Sequence, residues 1–377
     1  MSFFQQPITL GRLQVPNRVW LAPLAGVSDV PFRRICQELG AGLTYVEMLS
    51  AVAIQYRNKR TLDMCRRHDQ EPVLGVQVTG PSAELVAQAI RYLADFPFDT
   101  VDINMGCSVR KVVASGSGSG ILSEPERISA TAAAAREACA CPLTVKTRLG
   151  MTRRSISIED TAQRIARAGV DGFVIHGRTR DERYGAPADR HGIRLGIEAA
   201  RQAAPGPLVT VGNGDLFDWQ AAQTMRDETG CDAVMISRGA LGNPWIFRDI
   251  LSGATRHPTL AEWGDVVLRH LDYQESHYGD TELAAITMRK HLLWYIKGFP
   301  FNKVLGEQVG HITRIEEGRG YVRAYLREWP GDLPRFEGAC RTDARLGVNS
   351  KYDPKWDMHR QHDRGVGGVD GGRAVAG

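Results

Sequence analysis

Short apolar runs and helical patterns alternate along the chain from about residue 18 to residue 240. The runs are RVWLAPLAG (18–26), LTYVEM (43–48), LGVQVTG (74–80), TVDINMG (100–106), PLTVKTRLG (142–150), GFVIHGR (172–178), LVTVGNGD (208–215) and AVMISRG (233–239). Each is rich in Val, Ile, Leu or Thr and stops at Gly or a polar residue, the pattern of a strand buried on both faces. Between them, SAELVAQAIRYLAD (82–95), EPERISATAAAAREACA (124–140) and SIEDTAQRIARAG (157–169) space their apolar positions helically, with Ser or acidic starts and a Gly stop. Eight strand candidates in βα alternation predict an α/β fold, a (β/α)8 TIM barrel, over 1–258. A doubly wound open sheet has the same pattern, because periodicity does not reveal closure. From 259 to 330 the strand runs vanish and amphipathic helices with basic and aromatic faces take over, which predicts a small all-helical C-terminal domain. Residues 331–377 are polar and Gly-rich and read as a disordered tail.

The polar ends of the eight runs change the picture from fold to chemistry. Side chains at strand C-terminal ends line the mouth of such a barrel. Asn213-Gly214-Asp215 and Ser237-Arg238-Gly239 end the last two runs, where TIM barrels commonly hold a phosphate with backbone N–H groups and a helix start. Lys146 sits within an apolar run and must reach a ligand or a carboxylate. Gln77 suits the edge of a flat heterocycle, and His176 a phosphate or a ring carbonyl. Cys107 follows the fourth run, with Arg110 and Lys111 expected to lower its pKa and the Gly/Ser stretch 115–120 expected to make its loop a mobile lid. The GSGSG there lacks the strand–turn–helix setting of a dinucleotide fingerprint. Arg153, Arg154, Arg178, Arg180, Arg183, Arg289 and Lys290 are candidates for a basic rim, with Trp294 and Tyr295 as stacking residues or helix core.

Composition narrows the class. The 377 residues are 43% hydrophobic and 24% charged, and the mean hydropathy of −0.26 fits a globular protein with no membrane partner. The net charge of +4 is modest, but 39 of the 47 basic residues are arginine. Arginine favours phosphates and bases; a GC-rich genome explains the same excess. The seven cysteines are scattered and no export signal is read at the start, so a reducing cytoplasm and no metal are expected.

Taken together, LAPLAGVSDVPFRRICQELGAGL, VDINMGCSVRKV, PLTVKTRLG, VIHGRTRDERYGAPAD, VGNGD and MISRGALGNPWIF resemble the tRNA-dihydrouridine synthases, the bacterial B-type branch most closely, from about residue 7 to 330. The resemblance implies an FMN-binding barrel, NADPH or NADH as a transient electron donor, and a helical domain for tRNA at its D loop and elbow, in a monomer. The activity implied is reduction of D-loop uridines to 5,6-dihydrouridine, with hydride to C6 and a proton from Cys107 to C5. Carried over, Pro23, Leu24 and Ala25 contact the flavin, Gln77 and Lys146 bind its ring, and His176, Asn213, Gly214, Asp215, Ser237 and Arg238 hold its ribityl chain and phosphate. Asn104, Arg148 and Arg178 are the uracil candidates. Three positions depart from the family pattern. Ser108 stands for Pro and Gly120 for Ala in the lid, which is expected to become more flexible, and Ser237 stands for Gly beside the phosphate. A flavin barrel for a small molecule and a non-enzymatic RNA-binding barrel are the competing classes.

Overall fold

The computed structural model describes residues 1–182, 185–299 and 302–335. Eight parallel strands form the barrel: β1 Val19–Leu21, β2 Thr44–Tyr45, β3 Leu74–Thr79, β4 Thr100–Met105, β5 Leu143–Arg148, β6 Gly172–His176, β7 Val209–Asn213 and β8 Ala233–Ile236. Chain neighbours pair from β2 through to β8, and β8 returns to β1. The Trp20–Leu43 bridge closes the ring, with Leu21 N–H donating to Leu43 O at 2.8 Å. All eight runs read from the sequence are therefore barrel strands. The second is split: after β2 the chain breaks at Val46-Glu47-Met48, and Leu49–Ser50 then pairs with the upper half of β3.

Helices α1 Val30–Glu38, α2 Ala83–Leu93, α3 Pro125–Ala138, α4 Ile158–Arg167, α5 Arg190–Ala203, α6 Trp219–Thr229 and α7 Ile246–Ser252 surround the strands. The starts of α1, α2, α5 and α6 are fixed by side-chain oxygens that satisfy first-turn N–H groups, as at Asp29 (Phe32 N, 3.1 Å), Asp189 (Gly192 N, 3.0 Å) and Asp218 (Ala221 N, 2.7 Å), whereas Ser157, expected to cap α4, makes no such bond. Such a cap is worth about 1 kcal/mol.

Register decides what enters the barrel. Gln77 lies beside Asp102 and Asp102 beside Thr144; Asn104 lies beside Lys146 and Lys146 beside Val174; Arg148 lies beside His176 and His176 beside Asn213. Side chains alternate faces along a strand, so Gln77, Asp102, Asn104, Thr144, Lys146 and Arg148 share the inner face of β3–β5. The opposite half is apolar at the same depth, where Trp20, Tyr45, Val174, Val211, Ala233 and Met235 pack together. A hairpin of Ile8–Leu10 and Leu13–Val15, which the sequence pattern did not reveal, adds Leu10 and Val15 to this cluster. Its turn at Gly11 has φ +57° and lies against Asp171 and Pro142, just before β6 and β5, so it covers the end of the barrel remote from the mouth.

The chain continues with α8 Leu260–Tyr278, α9 Glu282–Tyr295, α10 Asn302–Val309 and α11 Ile315–Glu328. Trp263, Leu271, Met288, Leu292, Tyr295 and Val322 form their shared core, which also takes in Ile35 of α1 and Trp245 just before α7. Residues 331–335, read as the start of a loose tail, are pinned instead. Leu260 N–H donates to Leu333 O at 2.8 Å, and Arg335 donates to Lys297 O at 2.7 Å and Gly242 O at 2.8 Å. The remaining tail from 336, with Cys340, lies outside the described residues.

Candidate active site

A chain of hydrogen bonds runs along the inner face of β3–β5, and each donor and acceptor in it is forced by the next. Asn104 Oδ1 accepts from the N–H groups of Gly106 (3.0 Å) and Cys107 (2.8 Å), so its Nδ2 must point away, to Gln77 Oε1 at 2.7 Å. Gln77 Nε2 then donates to Asp102 Oδ2 at 2.7 Å, and Thr144 Oγ1 donates to Asp102 Oδ1 at 2.5 Å. Both amide orientations follow from the network. Burial pushes the Asp102 carboxyl up to about 6, against the pull of Thr144, Gln77 and Lys146. Sequence reasoning missed Asp102 and Thr144. The available signal was a polar residue inside each of the apolar runs TVDINM and LTVKTR.

Cys107 leaves this network on the loop after β4. Its thiol is pushed up by burial, which outweighs the Val109 backbone bond and the nearby Arg148 and Lys146 cations. This corrects the expectation of a lowered pKa: the cations facing the thiol come from β5, not from Arg110 and Lys111, and they do not overcome desolvation. Cys107 thus keeps its proton as a neutral thiol. The Gly/Ser stretch is also not a loose lid. Residues 117–122 are buried, and Ser119 clamps the Cys107 carbonyl with its N–H at 3.0 Å and its Oγ at 2.8 Å. Gly118, at φ +56°, donates its N–H to Thr79 Oγ1 at 3.1 Å and has no room for a side chain beside Cys107. Gly120 lies so near Val113 that a Cβ would come within 3.0 Å of its carbonyl. The expected extra flexibility at Gly120 is answered by close packing of the segment Arg110–Ala114 against it.

The other side of the mouth is cationic. Arg178 donates to Asp215 Oδ2 at 2.5 Å and Arg238 to Asp215 Oδ1 at 3.0 Å, so two guanidinium groups grip one carboxylate. Asp215 itself has φ +52°, a left-handed turn that follows Gly214 at φ +125°. Asn213 donates to Met235 O (2.7 Å) and Ser237 Oγ (3.0 Å) and accepts from Lys146 Nζ (3.1 Å). Burial and repulsion from Arg148 lower Lys146 to about 8. His176, buried among Arg148, Lys146, Arg178 and Arg238, is held well below its ordinary range and is a neutral imidazole. The Ser237 hydroxyl accepts from Asn213 rather than crowding the turn, and Arg238 opens a 3-10 turn to Ala240.

The structure thus brings Gln77, Asn104 and Cys107 into one network and Lys146, His176, Asn213, Gly214, Asp215, Ser237 and Arg238 into another. Arg148 and Arg178, read as substrate contacts, are both buried and hold loop carbonyls: Arg148 those of Gly106 (2.7 Å) and Thr179 (3.0 Å), Arg178 that of Ala186 (2.6 Å). Pro23, Leu24 and Ala25 form a turn after β1 that is closed by Leu24 O, which accepts from Val27 N at 2.9 Å and Ser28 N at 3.0 Å. Of the basic rim, Arg153 pairs with Glu182 and Arg180 with Asp181 at 2.8 Å; Arg289 donates to Ile312 O at 2.6 Å, and Arg183 lies outside the described residues. Trp294 and Tyr295 are core residues, 3% and 0% exposed, rather than a stacking platform. Among the described residues no helix is long and apolar enough to cross a membrane, and no group of three metal-ligating side chains converges.

Comparison with known proteins places this geometry. A family model described as dihydrouridine synthase (Dus) matches residues 20–328. The tRNA-dihydrouridine synthase B of Pasteurella multocida is 32% identical over 313 residues, 82% of this chain and 92% of that one. A probable tRNA-dihydrouridine synthase 1 of Synechocystis is 35% identical over 325 residues, covering 84% and 89%. Among solved structures, the 6-hydroxypseudooxynicotine amine oxidase of Pseudomonas geniculata N1 superposes with a TM-score of 0.51 at 13% identity, over 71% of this chain and 52% of that one. At that identity it speaks for the barrel fold alone, and this chain spans about half of its length.

Proposed function

Because the chain belongs to the dihydrouridine synthase family, we propose that it reduces uridines in the tRNA D loop to 5,6-dihydrouridine, with FMN at the barrel mouth and NADPH or NADH as electron donor. The observation that carries this reading is the pairing of a neutral thiol, Cys107, with a cationic half-mouth around a single carboxylate. An FMN fits the donor set. Arg178 and Arg238 outnumber Asp215 and so favour a phosphate dianion. Asn213 ties the turn at 213–215 to the one at 237–240 through Ser237 Oγ, and neutral His176 adds an uncharged partner for hydroxyls. Gln77 and Lys146 are the residues for the flavin ring, and Pro23, Leu24 and Ala25 would pack beside it.

Bound at this site, a reduced flavin would supply hydride for C6 of the uracil. The rest falls to the protein. Cys107 delivers a proton to C5, and burial keeps that proton on sulfur until the carbon becomes basic. Asn104 orients the Cys107 loop through two N–H bonds, and Asp102, as the fixed acceptor at the end of the chain, orients Asn104 through Gln77. Arg148 ties the same loop to the one after β6 through Gly106 and Thr179. Lys146 is positioned to offset negative charge developing beside it. The target uridine must leave its stack to enter a concave site, which costs a few kcal/mol and less in a strained loop. Helices α8–α11 are the proposed tRNA-binding part, and residues 1–258 the proposed catalytic part.

Mass spectrometry of tRNA from a deletion strain tests this directly. D-loop dihydrouridine is expected to fall and to return with the intact gene. Unchanged dihydrouridine, or a purified protein without flavin absorbance, overturns the reading. tRNA binding is expected to weaken steeply as salt rises.

A further inference from the structure

The helical region reaches the barrel mouth at the loop that begins with Pro23-Leu24-Ala25. Gly26 follows directly, in the left-handed region at φ +72°. Its N–H donates to a Glu47 carboxylate oxygen, and its carbonyl accepts from Lys290 Nζ. The two peptide units that flank the Gly26 Cα are thus each gripped by a charged side chain. Glu47 stands in the break after β2, and Lys290 comes from α9. Lys290 is one of only eight lysines in the chain and is 8% exposed. Burying an ammonium costs several kcal/mol unless opposite charge meets it. Here Glu47 and Asp29 meet it: both carboxyls are pushed up by burial and pulled back by Lys290.

The rest of the loop is held in the same way. Asp29 caps α1 and also accepts from Tyr278 of α8 at 3.3 Å. Arg33, buried against Glu71 at 2.7 Å, donates to Ser28 O at 3.0 Å. Two helical-region side chains, Lys290 and Tyr278, therefore reach residues on either side of Val27 and Ser28. A lysine meant for an RNA phosphate would project into solvent, whereas this one is committed to a loop carbonyl.

We infer that Lys290 is a positioning residue for the flavin site: by holding Gly26 against Glu47 it fixes the Pro23–Ala25 turn, so that α9 completes the cofactor pocket. The inference rests on the assignment of that turn to the flavin.

The test compares Lys290→Met and Lys290→Arg with wild type. It uses hydrogen–deuterium exchange of residues 23–29 in the flavin-free protein, FMN titration by fluorescence, and binding of unmodified tRNA. In Lys290→Met, exchange in the loop is expected to rise about tenfold and FMN affinity to fall about tenfold, the scale of one lost hydrogen bond to a charged group. Lys290→Arg is expected to restore most of both, with tRNA affinity within about twofold throughout. Unchanged exchange and FMN affinity overturn the inference, as does a loss confined to tRNA binding. If Lys290→Met does not fold, Glu47→Gln probes the other half of the grip and is expected to move loop exchange and FMN affinity in the same direction; no change there also overturns it. A wild-type protein that binds no FMN breaks the functional reading instead, and the exchange comparison still judges the role of Lys290.

Discussion

The two sides of the barrel mouth are built on different physics. On the β3–β4 side, Gln77, Asn104 and Cys107 are uncharged and Asp102 is the chain's only terminal acceptor, so order comes from the direction of each hydrogen bond. On the β6–β8 side, Arg178 and Arg238 converge on Asp215 beside a neutral His176, so order comes from charge. Lys146 and Arg148 of β5 stand between them. A directional network can orient a proton donor without ionising it. A cationic cluster can hold an anion but would strip a proton from a thiol placed within it. Keeping Cys107 on the first side, buried, reconciles the two demands.

The sharpest way to break this comparison is to remove the proposed proton donor and leave the charges. Cys107→Ala is expected to lower dihydrouridine formation by roughly 10²–10⁴-fold, the usual worth of a general acid. FMN absorbance after gel filtration should stay at the wild-type level. Normal dihydrouridine formation, read by mass spectrometry of treated tRNA, would remove Cys107 from the mechanism.

The next effect is on stability. Asp102 has its carboxyl raised from 3.8 to about 6 by burial. A carboxyl raised on folding binds its proton more tightly in the native state, so its contribution to stability is full below about 4 and is lost as pH rises to about 6. A rise of that size is worth about 3 kcal/mol. Asp29 and Glu47, raised by burial in the same direction, add to the same trend. Urea denaturation at pH 4.5 and pH 7.5 should isolate the Asp102 share as the part of that slope missing in Asp102→Asn. A slope identical in wild type and variant would mean that Asp102 titrates normally.

On the charged side, Arg238→Ala is expected to weaken FMN binding about 10- to 100-fold, as loss of a hydrogen bond to a charged group costs about 1.5–3 kcal/mol. Asp215 keeps Arg178 and the Ala188 N–H at 2.9 Å, so the turn should survive. Flavin retention equal to wild type after gel filtration would sink the phosphate assignment. Turnover per bound flavin should change little, which separates this side from the Cys107 side.

The sequence showed one kind of information well and another poorly. All eight strands were legible because each is buried on both faces and stops at a polar residue. That residues 213–215 and 237–238 lie together was legible because both segments end neighbouring strands. The protonation of Cys107 was not legible, since Arg110 and Lys111 are neighbours in sequence while Arg148 and Lys146 are neighbours in space. Asp102 and Thr144 were hidden because only the register of β3, β4 and β5 puts them side by side. Lys290 looked like surface charge in RKHLLWY, and its burial depends on a contact 264 residues away.

The smallest expected effect bears on the cysteine side alone. Gly120 departs from the Ala expected by resemblance, and a methyl group there would sit 3.0 Å from Val113 O and 3.5 Å from Val113 Cα. Those are backbone atoms, so the cost depends on whether the helix Arg110–Ala114 can retreat by a few tenths of an ångström. That helix buries none of its residues, which lets it give. Against the residual strain, replacing Gly by Ala removes unfolded-chain entropy worth about 0.4–1 kcal/mol. Gly120→Ala is therefore expected to lie within about 1 kcal/mol of wild type by urea denaturation, with unchanged FMN binding. A loss of about 3 kcal/mol, on the scale of overpacking a rigid core, would show that the Cys107 side is held as stiffly by packing as the Asp215 side is by charge.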